Sequence, residues 1–95
     1  MIDAPPGGSG DVRLAQIFNS WRTIRQAASD PKISDLELGT YSTFLESQEK
    51  QIAETRATSF AGTICKLEIV IWYHQNPIEG HDLMPMLSSI MEDLA

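Results

Sequence analysis

Apolar residues recur along most of this chain at steps of three and four, the period of a helix packed by one face. From Asp11 onward Leu14, Ile17, Phe18, Trp21, Ile24 and Ala28 form one such stripe. Asp30-Pro31 ends this first helix, because the residue before a proline is pushed out of the α region. Ser34-Asp35-Leu36-Glu37 then has the spacing of a capping box, in which a serine oxygen and a glutamate satisfy each other's backbone N–H groups. A second helix is predicted from Ser34 to about Glu54, with Leu38, Tyr41, Leu45, Gln48 and Ile52 on its inner face and Phe44 beside it. Gly39 weakens its start by about 1 kcal/mol relative to alanine, which leaves Thr40 as another possible beginning.

The third segment reads differently. Ten of the fourteen residues from Phe60 to Tyr73 are apolar or cysteine, and Ile69 to Tyr73 are apolar without a break. Five in a row go right round a helix, so a helix here, from Thr58 as N-cap to Gln75, is predicted to be buried on more than one side. A buried strand is the rival reading, since Ile, Val, Trp and Tyr favour sheets. Nothing else in the chain offers it a partner strand, and helix is preferred. Leu83, Leu87, Ile90 and Leu94 give a short fourth helix, with Met84 and Met91 flanking, Asp82 as cap and Pro85 in the first turn. The expected fold is all-α: three main helices and a short C-terminal one, with helices 2 and 3 as an antiparallel hairpin. Residues 1–10 hold two prolines and three glycines and are expected to be a flexible tail, leaving 11–95 as a single helical domain.

Composition narrows the function classes. At 95 residues, 42% hydrophobic and 21% charged, the chain is one small folded domain. Thirteen acids against seven Lys and Arg give a net charge of −6, a poor match for nucleic acid or an anionic membrane. The apolar run from Ile64 to Tyr73 is about half the ~20 residues needed to span a bilayer. The start of the chain lacks the apolar core of a secretory signal, and one cysteine permits no intrachain disulfide. The expected location is cytoplasmic.

Candidate chemistry is sparse. His74, Glu79, His81 and Asp82 are the only close cluster of metal-ligand side chains, but they straddle a Pro- and Gly-containing turn and match no zinc spacing. They are weak metal candidates beside the plainer reading as solvated turn residues. Cys65 lies among Ala61, Ile64, Ile69 and Trp72 and reads as a small buried residue rather than a nucleophile. Arg13, Arg22 and Arg25 make helix 1 locally basic, as a solvated face or as partners for Glu79, Asp82, Glu92 and Asp93. No catalytic residue, cofactor or enzyme activity is assigned.

One stretch, Ala57-Thr58-Ser59-Phe60-Ala61-Gly62 to Lys66-Leu67, resembles a group of short helical proteins encoded by alphaproteobacteria and their prophages. Their signature is Pro-Ala-Thr-Thr-x-Ala-Gly-x-x-Ala-Lys-Leu. Ala57, Thr58, Ala61, Gly62, Lys66 and Leu67 match it, while Arg56, Ser59 and Cys65 depart from it. The resemblance implies a helical fold and brings no activity with it. Physically, Gly62 reads as a point of close approach in a tight corner between helices 2 and 3.

The expected function is protein–protein interaction or assembly, as a homodimer or with another protein partner. Ile69, Ile71, Trp72, Met84, Leu87 and Met91 are the candidate interface, since a lone chain is expected to leave part of that set in water. The alternative is a small-molecule or metal-responsive binding module with a pocket lined by Trp21, Tyr41, Trp72 and Met84.

Overall fold

The computed structural model describes residues 8–95, with side chains from Asp11 onward. Four helices follow one another: α1 (Gly8–Ala28), α2 (Asp35–Glu54), α3 (Phe60–Gln75) and α4 (Met84–Leu94). The fold is all-α. Among the described residues no helix is long and apolar enough to cross a membrane.

The local signals explain most of the boundaries. The Ser34 hydroxyl accepts from the Glu37 N–H and the Glu37 carboxylate reaches back, so the capping box closes and α2 begins there, not at Thr40. Helix α1 starts three residues ahead of Asp11, because extending an existing helix needs no new nucleus, even though Gly8 and Gly10 are poor helix formers. Gly8 to Gly10 therefore leave the expected tail, and residues 1–7 lie outside the described residues. Helix α3 is capped by Ser59 instead of Thr58: Ser59 is extended and its hydroxyl accepts from the Gly62 N–H. Thr58 donates its own N–H to Asp11 Oδ1 at 2.8 Å. In α4 the cap position falls to Leu83, while Asp82 Oδ1 accepts from the Met84 N–H one residue further on.

The helices pack around a ring in the order α1, α2, α4, α3. Of the helices consecutive in the chain, α1 packs on α2 and α3 packs on α4, which makes these the two hairpins. Helices α2 and α3 lie across a diagonal, so the expected α2–α3 hairpin does not form. The corner between them explains why. Its Thr58 N–H is tied to α1 through Asp11, and its Ala57 N–H is tied to α4 through Asp93 Oδ1 at 2.9 Å. These bonds carry α3 across to α1 and α4 instead of back along α2.

Leu14, Phe18 and Trp21 of α1, Leu45 and Ile52 of α2, Ile69 and Tyr73 of α3, and Met86 and Ile90 of α4 form the core with Ala57. The described chain spans 43 × 31 × 18 Å, thin in one direction, so each helix keeps an outer face in water. Helix α3 buries one stripe, Gly62, Lys66, Ile69 and Tyr73, with Thr63 beside it, and is not wrapped on several sides as expected. Leu38 and Phe44 of α2, expected inside or beside the inner face, are also exposed.

Among the described residues, one cation is fully buried, Lys66 at the α3–α4 contact. Lys66 Nζ donates to Asp93 Oδ2 at 2.6 Å and to Ser89 Oγ at 2.7 Å, and both charged side chains are essentially removed from water. Gly62 faces a crowded corner: a Cβ there would lie 2.9 Å from the Ala57 Cβ and 2.9 Å from Asp11 Oδ1. The close approach is by a methyl group and a carboxylate, not by a helix backbone.

Two stability outcomes follow from this packing. Gly62→Leu is expected to destabilise by roughly 1–3 kcal/mol in urea unfolding, despite better helix propensity; a more stable variant would place residue 62 in open space. Lys66→Met is expected to cost about 3–5 kcal/mol by leaving Asp93 buried without its counter-charge. The Lys66→Met/Asp93→Leu double variant should lose less than the sum of the two single changes, and strict additivity would contradict the pairing.

Candidate functional site

A second polar cluster sits at the middle of the bundle. Glu49 lies one helical step from Leu45 and Ile52, so the fold of α2 that buries those two also turns its carboxylate inward. Trp21 and Arg25, four apart on α1, face it from one side. The Trp21 indole N–H donates to Glu49 Oε2 at 2.8 Å, and the Tyr73 hydroxyl of α3 donates to the same oxygen at 2.5 Å. From the α3–α4 connection, His81 Nε2 lies 3.0 Å from Glu49 Oε1. A carboxylate only accepts, so this contact puts an imidazole proton on Nε2.

Aromatic faces enclose the cluster. His81 stacks on Tyr73 with ring centroids 3.6 Å apart, and Trp72 meets both Trp21 and Tyr73 edge to face. The Arg25 guanidinium lies 4.1 Å from the Trp72 ring centroid, hydrogen-bonds the Tyr73 hydroxyl, and comes within 3.8 Å of Glu49. Arg25 therefore pairs with α2 and α3, not with the acids of the C-terminal segment; among those, Asp93 goes to Lys66.

Beside this cluster a groove of about 490 Å³ opens between α2 and the segment from Gly80 to Met86. Glu46, Glu49, Lys50, Ala53 and Glu54 form one wall; Gly80 to Leu83, Pro85 and Met86 form the other, with Ile69 also in the lining. Gly80 takes φ +83°, the left-handed conformation that glycine adopts without strain, and so turns the connection back toward α2.

The expected pocket of Trp21, Tyr41, Trp72 and Met84 does not form. Trp21 is buried under its bond to Glu49, Met84 is exposed, and none of the four lines the groove. A tryptophan inside a small core is held by its N–H partner, which leaves its face packed rather than open. The four weak metal candidates part company as well. His81 turns in to Glu49, Asp82 accepts from the Met84 N–H, and His74 and Glu79 are exposed. Among the described residues no group of three or more His, Cys, Asp or Glu is arranged to hold a metal ion.

Of the candidate interface residues, Ile69 is in the core and Trp72 is partly covered, whereas Ile71, Met84, Leu87 and Met91 reach water. Ile69 falls on the buried stripe of α3 because it is three residues from Lys66 and four from Tyr73. The sequence reading missed Glu49, Lys66 and Asp93 as buried groups. Their register could have revealed them: each stands where its helix's inner stripe requires a core residue.

The chemistry available is limited. Burial, helped by the nearby negative charges of Glu68 and Asp11, raises the Cys65 thiol above its ordinary pKa and keeps it protonated and weakly nucleophilic at neutral pH. Burial, then the hydrogen bond and charge of Glu49, hold the Tyr73 hydroxyl well above its ordinary value, with Arg25 opposing only in part. Desolvation is the largest single influence on Asp11 and raises its pKa, but the hydrogen bonds from Ser59 and Thr58 together outweigh it and lower the net value. Compared with protein-family models, with curated proteins and with solved structures, the chain matches none.

The Tyr73 shift has a definite sign in stability. A folded pKa raised above the ordinary 10.0 favours the folded state fully below that pH, and the contribution is lost as pH rises beyond it. Thermal melts from about pH 8 to about pH 11 should show stability falling above pH 10, with a shallower fall in Tyr73→Phe. Equal alkaline slopes for the two proteins would contradict the assigned network.

Proposed function

We propose that this chain is a non-enzymatic interaction or assembly protein that works by helix-on-helix contact and pairs with a second copy of itself. The observation that carries the reading is an apolar seam on the outer face of α3. Phe60, Ile64, Leu67 and Ile71 follow one another at steps of four, three and four, and all are exposed, Phe60 at 74% and Ile71 at 51%. That is coiled-coil spacing with isoleucine and leucine in alternate places, a combination that favours two-stranded pairing in parallel coiled coils. Helix α4 adds a second seam, Met84, Leu87, Met91 and Leu94, with Met84 61% and Met91 70% exposed.

Exposed aliphatic rows of this length are costly to leave in water and are removed from it by association. A two-fold dimer is the commonest closed solution for a small chain. The single, partly covered thiol of Cys65 fits a reducing cytoplasmic setting, and the −6 charge disfavours nucleic acid and anionic membrane as partners. On the sequence resemblance, a bacterial or prophage origin accompanies this reading.

Light scattering on a size-exclusion column tests it. The expected mass is about 21 kDa, twice the chain's 10.6 kDa, as for a two-fold pair. Leu67→Glu/Ile71→Glu should give 10.6 kDa with unchanged helical circular dichroism, because both changes lie on the outer face. A wild-type chain that stays at 10.6 kDa at high micromolar concentration overturns the proposal.

A further inference from the structure

We propose that the groove between α2 and the α3–α4 connection binds an amphipathic organic cation, a protonated amine carried on an apolar body. The argument begins with size. Its volume of about 490 Å³ falls within the range of roughly 300–1,000 Å³ usual for small-ligand sites. The lining divides by chemistry into apolar surface from Ala53, Ile69, Leu83 and Met86, and four carboxylates from Glu46, Glu49, Glu54 and Asp82. Lys50 is the only lysine or arginine among the described residues that line it.

That combination selects by charge. An ammonium group entering the groove meets an excess of negative charge beside a surface of low polarisability, where field lines are concentrated and attraction is stronger than in open water. A carboxylate of the same shape meets repulsion in the same place. The apolar lining supplies the second half of the match, since it rewards a hydrocarbon body that a bare metal ion or ammonium lacks.

The site is also held in shape before anything binds. Glu49 is fixed by Trp21 and Tyr73 through Oε2, while Oε1 accepts from His81 alone among the described residues and keeps capacity for another donor. His81 is in turn fixed by its stack on Tyr73, and Pro85 stiffens the opposite wall. A preformed wall reduces the ordering cost that a ligand must overcome.

Hexylammonium, hexanol and hexanoate serve as matched probes, titrated into the full-length ¹⁵N-labelled chain and followed by amide chemical shifts. The proposal expects saturable shifts at Ala53, Gly80 and Leu83 with hexylammonium, at least tenfold tighter than with hexanol or hexanoate. Glu46→Gln/Glu54→Gln, two surface changes outside the Glu49 hydrogen-bond cluster, should abolish most of that preference while leaving the rest of the spectrum in place. Binding of all three probes alike, an unchanged preference in the double variant, or no saturable shift with hexylammonium overturns it.

Discussion

A carboxylate placed inside a 95-residue protein must be given donors or it will unfold the region around it. Glu49 receives them from three separate parts of the chain: Trp21 and, more distantly, Arg25 from α1, Tyr73 from α3, and His81 from the α3–α4 connection. Because α2 and α3 lie across the diagonal of the ring, this is the contact that joins them through the centre. The rest of the arrangement follows from it. Arg25 is drawn over Trp72 by its approach to Glu49, the His81 ring is pulled down onto Tyr73, and the connection carrying His81 is held against α2 to form the groove.

The Lys66–Asp93 pair plays the corresponding part at the α3–α4 contact. One oxygen of Asp93 serves Lys66 and the other serves the Ala57 N–H, so a single side chain of α4 fixes both α3 and the corner before it. The desolvation cost of such a pair can match its Coulombic gain, and its net contribution to stability need not be large. What it supplies is register. Sliding α4 by one residue rotates its side chains by 100°, which would strand Lys66 in an apolar interior. The stretch that carries the signature resemblance contains Ala57, Thr58, Gly62 and Lys66, each of which has a structural task in this corner.

The legibility of the fold in the sequence divides along the same line. Helix positions came from spacing and from caps, and the Ser34 box and Asp30-Pro31 marked their ends because those signals act within a few residues. Pairing of helices was not legible. Apolar stripes of α2 and α3 would have satisfied a hairpin equally well, and the bonds that forbid it, Asp11 with Thr58 and Asp93 with Ala57, join residues 47 and 36 apart in the chain. The charged core residues escaped for a related reason. A lysine or glutamate in an inner register reads as an interruption until its partner is located, and Lys66 finds Asp93 only after α4 has docked. The groove was invisible for the same cause, since its walls come from α2 and from a turn some thirty residues later that reads as a solvated connection.

Polar groups inside and apolar groups outside are linked features of this chain. A bundle only 18 Å thick in one direction buries a single stripe of each helix, so the apolar residues of α3 beyond that stripe have no place within it. Filling every inner position with an aliphatic residue would have left rotation about the helix axis poorly determined, because α3 is apolar on both its inner and its outer face. Lys66 removes that degeneracy. Turning the outer seam of Phe60, Ile64, Leu67 and Ile71 inward would carry the lysine away from Asp93 and Ser89, and would leave Asp93 buried without its counter-charge. The buried pair therefore decides which apolar face of α3 is core and which is presented to water, and the outer seam is where it is because the charge is inside.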